Sequence, residues 1–195
     1  MSVPSVFDVL KVQLRHGWLD ARRVFDGITE DEYLWEPASP CWSVRRRGGS
    51  VRGWGSGEFV CEDAWPPPAI LPTTTIAWRV IHLAAWTDVY RQFAFDNARP
   101  DLNDCEVPEE LSAGLGWLYR AQDEFIEAVG ELNSEAVFEP RPAHWGESVP
   151  IVRLVTTMLN EHVHHLAEIG ALRDLRRGHA IIQTPRGPIP VPDWW

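Results

Sequence analysis

The stretch Asn160-Glu161-His162-Val163-His164-His165-Leu166-Ala167-Glu168-Ile169 crowds three histidines and two glutamates into ten residues. Glu161 and His165 are four positions apart, so on a helix they stand one turn apart on the same face. That face continues as Leu154, Met158, Glu161, His165 and Leu172, an apolar stripe interrupted by one carboxylate and one imidazole. The stripe predicts a helix that starts near Val149 or Pro150 and runs to Gly178, a residue type that favours helix ends. His162 and His164 fall on other faces, where they are expected to meet solvent or to support the site from behind.

Working outward, three more long helices appear. Ser5 with Asp8 resembles a capping box, and Val6, Leu10, Leu14, Trp18 and Phe25 follow at helical spacing until Gly27. Thr29 with Glu32 opens a short helical turn that Pro37 stops. A second long helix is predicted from about Thr74 to Phe95, with Ile76, Val80 and Leu83 on one stripe. Trp78, His82, Ala85 and Val89 form the stripe beside it. Pro108 opens a third, through Leu111, Leu115, Leu118, Phe125 and Val129. The expected fold class is therefore all-α, a four-helix bundle, whose core is a common place to build metal sites.

Residues 38–72 break the pattern: they are rich in Gly, Pro, Arg and Trp and have no helical period. They are expected to form a long loop between the first two long helices, lying over one end of the domain, with a short hairpin around Gly57 to Cys61. Pro185, Pro188, Pro190 and Pro192 make the C-terminal stretch extended. The expected organisation is a bundle over residues 1–178, with 38–72 inserted, and a Pro/Trp tail over 179–195 packed on it. Eleven Trp exceed what the core of a bundle requires, and Trp42, Trp54, Trp65, Trp194 and Trp195 lie outside the long helices. Loop and tail are thus expected to cover the bundle and narrow access to its core, or else to form a homodimer surface.

A weak internal duplication is visible. Leu34-Trp35-Glu36-Pro37 resembles Val137-Phe138-Glu139-Pro140, and Cys41-Trp42 has a counterpart in His144-Trp145, each at an offset of 103 residues. Ser5 at the same offset falls on Pro108, so the chain divides into two halves, each a helix, a capped turn ending in Pro, and a second helix.

Composition bounds the function classes. The 195 residues carry a net charge of −10, which disfavours non-specific nucleic-acid binding. The longest uncharged stretch, Ala64 to Trp78, is too short to span a bilayer and contains four prolines. No signal peptide is recognisable, and three cysteines without a CxxC pair support neither a disulfide framework nor a cysteine-ligated zinc. A cytoplasmic protein without membrane or nucleic-acid partners is expected. Seventeen Arg against one Lys reflect a GC-rich genome, as in actinobacteria. Arg45, Arg46, Arg47 and Arg52 crowd the loop, as a solvated face or as an anion site.

Glu161 on an inward stripe needs a partner, because an isolated buried charge is very costly. A divalent metal is one such partner, and His82, set among large apolar residues of the second helix, is the candidate third ligand. Two histidines and one carboxylate suit Zn²⁺, Ni²⁺ or Fe²⁺. Spacing alone also fits a hydrogen-bonded core histidine and an ordinary i, i+4 surface pair.

The stretch Asn160–Ile169 resembles the signature of the DinB-like superfamily, in which Asn-His-x-x-His-His precedes Arg-Gly-Gln-Ile or a similar run. Thr75-Ile76-Ala77-Trp78-Arg79-Val80-Ile81-His82-Leu83-Ala84 resembles its second-helix motif, and Asp31–Pro37 and Cys41–Arg45 are similar to segments of actinobacterial members. The resemblance covers about residues 5–177 and implies a DinB-like four-helix bundle with metal ligands His82, Glu161 and His165. Many members have His where this chain has Glu161. The mycothiol-dependent maleylpyruvate isomerases resemble this chain in carrying Glu there, although their additional C-terminal domain is not expected after Gly178.

What the resemblance implies is a metal-dependent enzyme acting with a low-molecular-weight thiol such as mycothiol on a small electrophile. Zn or Ni would activate the thiol as thiolate, as an S-transferase or isomerase requires. His164 and Glu168 are the nearest polar candidates for a base, and the Arg45–Arg52 cluster for a sugar or carboxylate of the cofactor. The alternatives are a metal-dependent hydrolase that activates water, and a non-enzymatic bundle with a structural or vestigial metal site.

Overall fold

Ser5 starts the first helix with a reciprocal cap: its Oγ accepts from the Asp8 amide at 3.1 Å, and the Asp8 carboxylate accepts from the Ser5 amide at 2.8 Å. The structure, a computed structural model, describes residues 5–96 and 98–178; the expected packed tail, 179–195 with Trp194 and Trp195, lies outside the described residues. Helix α1 covers Val6–Leu19 and passes into a 3₁₀ turn, Asp20–Phe25. The capped turn after Thr29 is α2, Glu30–Tyr33. Helix α3 covers Ile76–Arg91, capped by the Thr75 side chain, and ends in a π-turn at Gln92–Asp96. Helix α4 covers Leu111–Glu131, and its Leu111 amide donates to Glu30 Oε1 at 2.9 Å. Helix α5 covers Ile151–Arg176. Helices α1 and α3 each pack against both α4 and α5.

The expectation of an all-α four-helix bundle does not hold. Five helices and three small β-sheets among the described residues make the architecture mixed α/β. In the stretch read as a loop, strand β1 (Cys41–Trp42) pairs in parallel with β5 (Thr73–Thr74), Cys41 opposite Thr73 and Trp42 opposite Thr74. Between them β2 (Val44–Arg46), β4 (Phe59–Glu62) and β3 (Gly53–Trp54) form an antiparallel sheet in that order. A hairpin of β6 (Pro140–Pro142) and β7 (Ser148–Pro150) leads directly into α5. The physical reason is burial. Val44, Trp54 and Cys61 are buried in the same core cluster as Ala77 and Trp78 of α3, so the insert is a packed layer. At Gly53 the strands come so close that a Cβ would lie 2.1 Å from the Cys61 carbonyl oxygen, which only glycine avoids.

The core forms two clusters, one around Tyr33, Ile81 and Leu118 and one around Trp18, Phe125 and Met158. A buried ion pair ties α5 to the first half of the chain: Arg173 Nε donates to Glu32 Oε1 at 2.7 Å, and its other nitrogens reach the carbonyls of Val24 and Asp26. Removing either partner would leave the other charge buried without its counter-ion. The 103-residue pseudo-repeat has a structural counterpart. Each half runs long helix, short helical turn, a pair of strands and a long helix, with the three-stranded sheet inserted between the paired strands of the first half.

Candidate metal centre

Helices α3 and α5 lie side by side, and their facing residues build the site. His82 comes from α3, one turn after Trp78 and one turn before Trp86. Glu161 and His165 come from adjacent turns of α5. Glu161 Oε2 lies 3.7 Å from His82 Nε2 and 3.4 Å from His165 Nε2, and the two imidazole rings meet edge to face with centroids 4.9 Å apart. One ligand atom from each of the three residues falls within a 4.8 Å span.

Aromatic packing holds His82 in place. Its ring stacks on Trp78 at 4.6 Å and 18°, and Trp78 is itself fixed by an Nε1–H bond to the Glu62 carbonyl at 2.6 Å. Trp42 stacks on the far side of Trp78 at 6.2 Å, so β1 and β4 of the insert both act on His82 through one indole. Trp54 is buried, but Trp65 is 92% exposed; the expected cover is made by Trp42 and Trp54, not by every Trp of the insert.

The α5 side is set by charge. The imidazoles of His165 and His82 beside it hold the Glu161 carboxyl well below the usual carboxylate range. Burial pushes the His165 imidazole down, which keeps it neutral at pH 7, as a metal ligand must be. His165 Nδ1 lies 2.9 Å from Glu168 Oε2, and that same oxygen pairs with Arg79 of α3. Arg79 Nη1 also lies 2.8 Å from His165 Nδ1, so Glu168 and Arg79 together fix the ring with Nε2 turned toward Glu161. Glu168 Oε1 lies 3.3 Å from His164 Nε2, so both oxygens of Glu168 have partners and neither is an idle base. Burial lowers the Arg79 guanidinium to about 10, still charged at neutral pH.

Other expected residues fall elsewhere. His162 does not meet solvent. It is fully buried, stacked on Trp18 of α1 at 3.8 Å, with Nε2 3.4 Å from Thr87 Oγ1 of α3 and Nδ1 donating to the Met158 carbonyl at 3.0 Å. Burial drives its pKa down to about 3. His164 is exposed. Three of the four arginines of the cluster are engaged locally: Arg45 pairs with Glu36 and Glu62, Arg46 with Glu58, and Arg47 donates to the carbonyls of Gly55 and Gly57. His164, His165 and Glu168 form a second group of ligand-type atoms, but the Arg79 cation bonded to Glu168 opposes a second cation there.

The orienting pair Glu168–Arg79 was not legible as a pair. Glu168 stands three residues after His165 and Arg79 three before His82, spacings at which helical neighbours meet, but only the approach of α3 to α5 joins them.

Two imidazole nitrogens, one ionised carboxylate, a second carboxylate fixing one ring and a half-exposed edge at Glu161 make a donor set that can hold a divalent cation. A helical scaffold carrying that donor set between its second and last long helices is the class of protein in hand. The chain belongs to the DinB superfamily, whose family model it matches over residues 13–169. No curated protein matches the sequence. Among the described residues no helix is long and apolar enough to cross a membrane.

Proposed function

We propose that this chain is a divalent-metal-dependent enzyme that uses a low-molecular-weight thiol, of the mycothiol type, in S-transfer to or isomerisation of a small electrophile. The carrying observation is the convergence of His82 Nε2, His165 Nε2 and a Glu161 oxygen within 4.8 Å. These three residues would hold Zn²⁺ or Ni²⁺. A divalent ion held there supplies Lewis acidity, which lowers the pKa of a thiol and makes thiolate available at neutral pH.

The chain's own residues do the rest. Glu161 contributes the negative charge that imidazole ligands lack. Glu168 and Arg79 both reach His165 Nδ1 and pair with each other, which fixes the His165 ring. The indoles of Trp78 and Trp86 flank His82 and exclude water from that side, while the half-exposed Glu161 leaves the opposite side open to a small molecule. The mycothiol assignment is supported by Glu at position 161, the feature in which this chain resembles the mycothiol-dependent isomerase branch.

The test is metal analysis of the purified protein, followed by assays with thiol-plus-electrophile pairs and with esters. One Zn or Ni per chain with thiol-dependent turnover is the expected result. Ester turnover without thiol would replace this reading by hydrolysis, and a fully occupied site with no turnover in either assay would make the centre structural.

A further inference from the structure

Tyr90 stands two turns beyond His82 on α3, with Trp86 between them on the same stripe. Its ring packs edge-on against Trp86 at 6.0 Å and lies 5.6 Å from His144, and the residue is only 5% exposed. A buried tyrosine usually finds a partner for its hydroxyl. Among the described residues this hydroxyl has none, yet its oxygen is not sealed in the core as that of Tyr33 is. The ring alone would fill the space, so the O–H is a donor left open.

Its place relative to the centre follows from how the two helices run. Arg79 meets Glu168 and, two turns further along α3, Thr87 meets His162, so α3 and α5 are antiparallel. Side chains lean toward the N-terminus of their own helix. Tyr90 therefore leans back toward Trp86 and the centre, and Glu161 leans along α5 in the opposite sense, toward Tyr90. Burial first and then the Glu161 charge push the phenol up to about 12, against a smaller pull from Arg153 of α5. The hydroxyl thus keeps its proton at neutral pH and faces the centre as a neutral donor, while Glu161 beside it only accepts.

We infer that the Tyr90 hydroxyl donates a hydrogen bond to an oxygen of the electrophile seated on the open side of the centre, which narrows the substrate class to carbonyl compounds. This inference rests on the function proposed above. As the thiolate sulfur bonds to the carbonyl carbon, the π pair of the carbon–oxygen bond moves onto the oxygen. Tyr90 keeps its proton and steadies that charge, and the pair re-forms the carbonyl when the leaving group departs with its own bonding pair.

The test is calorimetric titration of the full-length, Zn²⁺-loaded protein with acetohydroxamate, which offers oxygen acceptors, and with ethanethiol, which offers only sulfur. Tyr90→Phe keeps the ring and should weaken acetohydroxamate about tenfold while leaving ethanethiol within about twofold of the parent. A purely structural role would weaken both probes together, and urea unfolding of the variant checks that it folds like the parent. Equal weakening of both probes, unchanged acetohydroxamate binding, or a parent that takes up neither Zn²⁺ nor acetohydroxamate would overturn the inference. Selective loss of acetohydroxamate in a protein without thiol-dependent turnover would keep Tyr90 as the donor to an oxygen at the centre and remove the proposed enzyme function instead.

Discussion

The two connections that launch α3 and α5 begin alike and then diverge. Each follows a helical turn ending in Glu-Pro, enters a short strand, and leaves by a second strand into a long helix. In the second half only residues 143–147 separate the strands, and the hairpin is necessarily antiparallel. In the first half residues 43–72 intervene, the strands close in parallel, and a three-stranded sheet fills the excursion. A five-residue turn is therefore enough to start a helix, and the longer path serves something else. It carries Trp42 and the Glu62 carbonyl to Trp78, and through Trp78 it immobilises His82. Helix α5 takes no such help: His165 is oriented from within its own helix by Glu168 and from α3 by Arg79.

The largest effect should come where the insert grips α3. Trp78→Ala is expected to cost about 3–5 kcal/mol in denaturant unfolding, while Trp145→Ala, in the short turn and 37% exposed, should cost under about 1 kcal/mol. Equal costs would break the distinction between the two connections. Next comes the α5 side. Glu161→Gln should weaken Zn²⁺ binding about 100-fold by calorimetric titration, because an amide oxygen is a neutral donor, and Glu161→His should stay within about tenfold of the parent. Binding retained in Glu161→Gln but lost in Glu161→His would remove Glu161 from the ligand set.

The third expectation concerns acid stability. His162 has a folded-state pKa of about 3 against the ordinary 6.5, so protonation favours the unfolded chain. Its contribution is fully present above about pH 6.5 and is lost as pH falls from there toward 3. His162→Phe keeps a ring against Trp18 and removes the titration, which should flatten the stability profile in that window by up to about 1.4 kcal/mol per pH unit. An unchanged slope would show that the α1–α5 contact is not what acid breaks. The smallest effect should be Arg46→Ala. Its pair with Glu58 is more than half exposed, so unfolding should change by less than about 0.5 kcal/mol, the insert being held by its buried side chains.

The long helices are legible in the sequence because their apolar period, repeated over several turns, outweighs local noise, and the cap at Ser5 marks the start of the first. The sheets are not, since Cys41–Trp42 or Gly53–Trp54 is too short to show an alternation, and their burial comes from partners up to 32 residues away. That is why residues 38–72 read as a loop. At the site, Glu161 and His165 are related by their spacing on one helix, and the structure brings His82 to them. His162 misleads because α5 is packed on two sides: the stripe analysis finds the face toward α3, and the face toward Trp18 of α1 lies off it.

The parallel pair β1–β5 has one more consequence. With Thr73 N bonded to the Pro40 carbonyl at 3.1 Å and Thr75 N to the Trp42 carbonyl at 3.0 Å, the excursion leaves and rejoins the scaffold at nearly one point. The entropy of closing such a loop rises by only about 0.6 kcal/mol for each doubling of its length. The exposed run Trp65–Leu71 beyond the clamp can lengthen, shrink or be exchanged while the helices keep their register, whereas Val44, Trp54 and Cys61 belong to the core shared with α3. Evolution and the protein engineer are thus given a short variable run at the rim, carried by a layer that has to be kept.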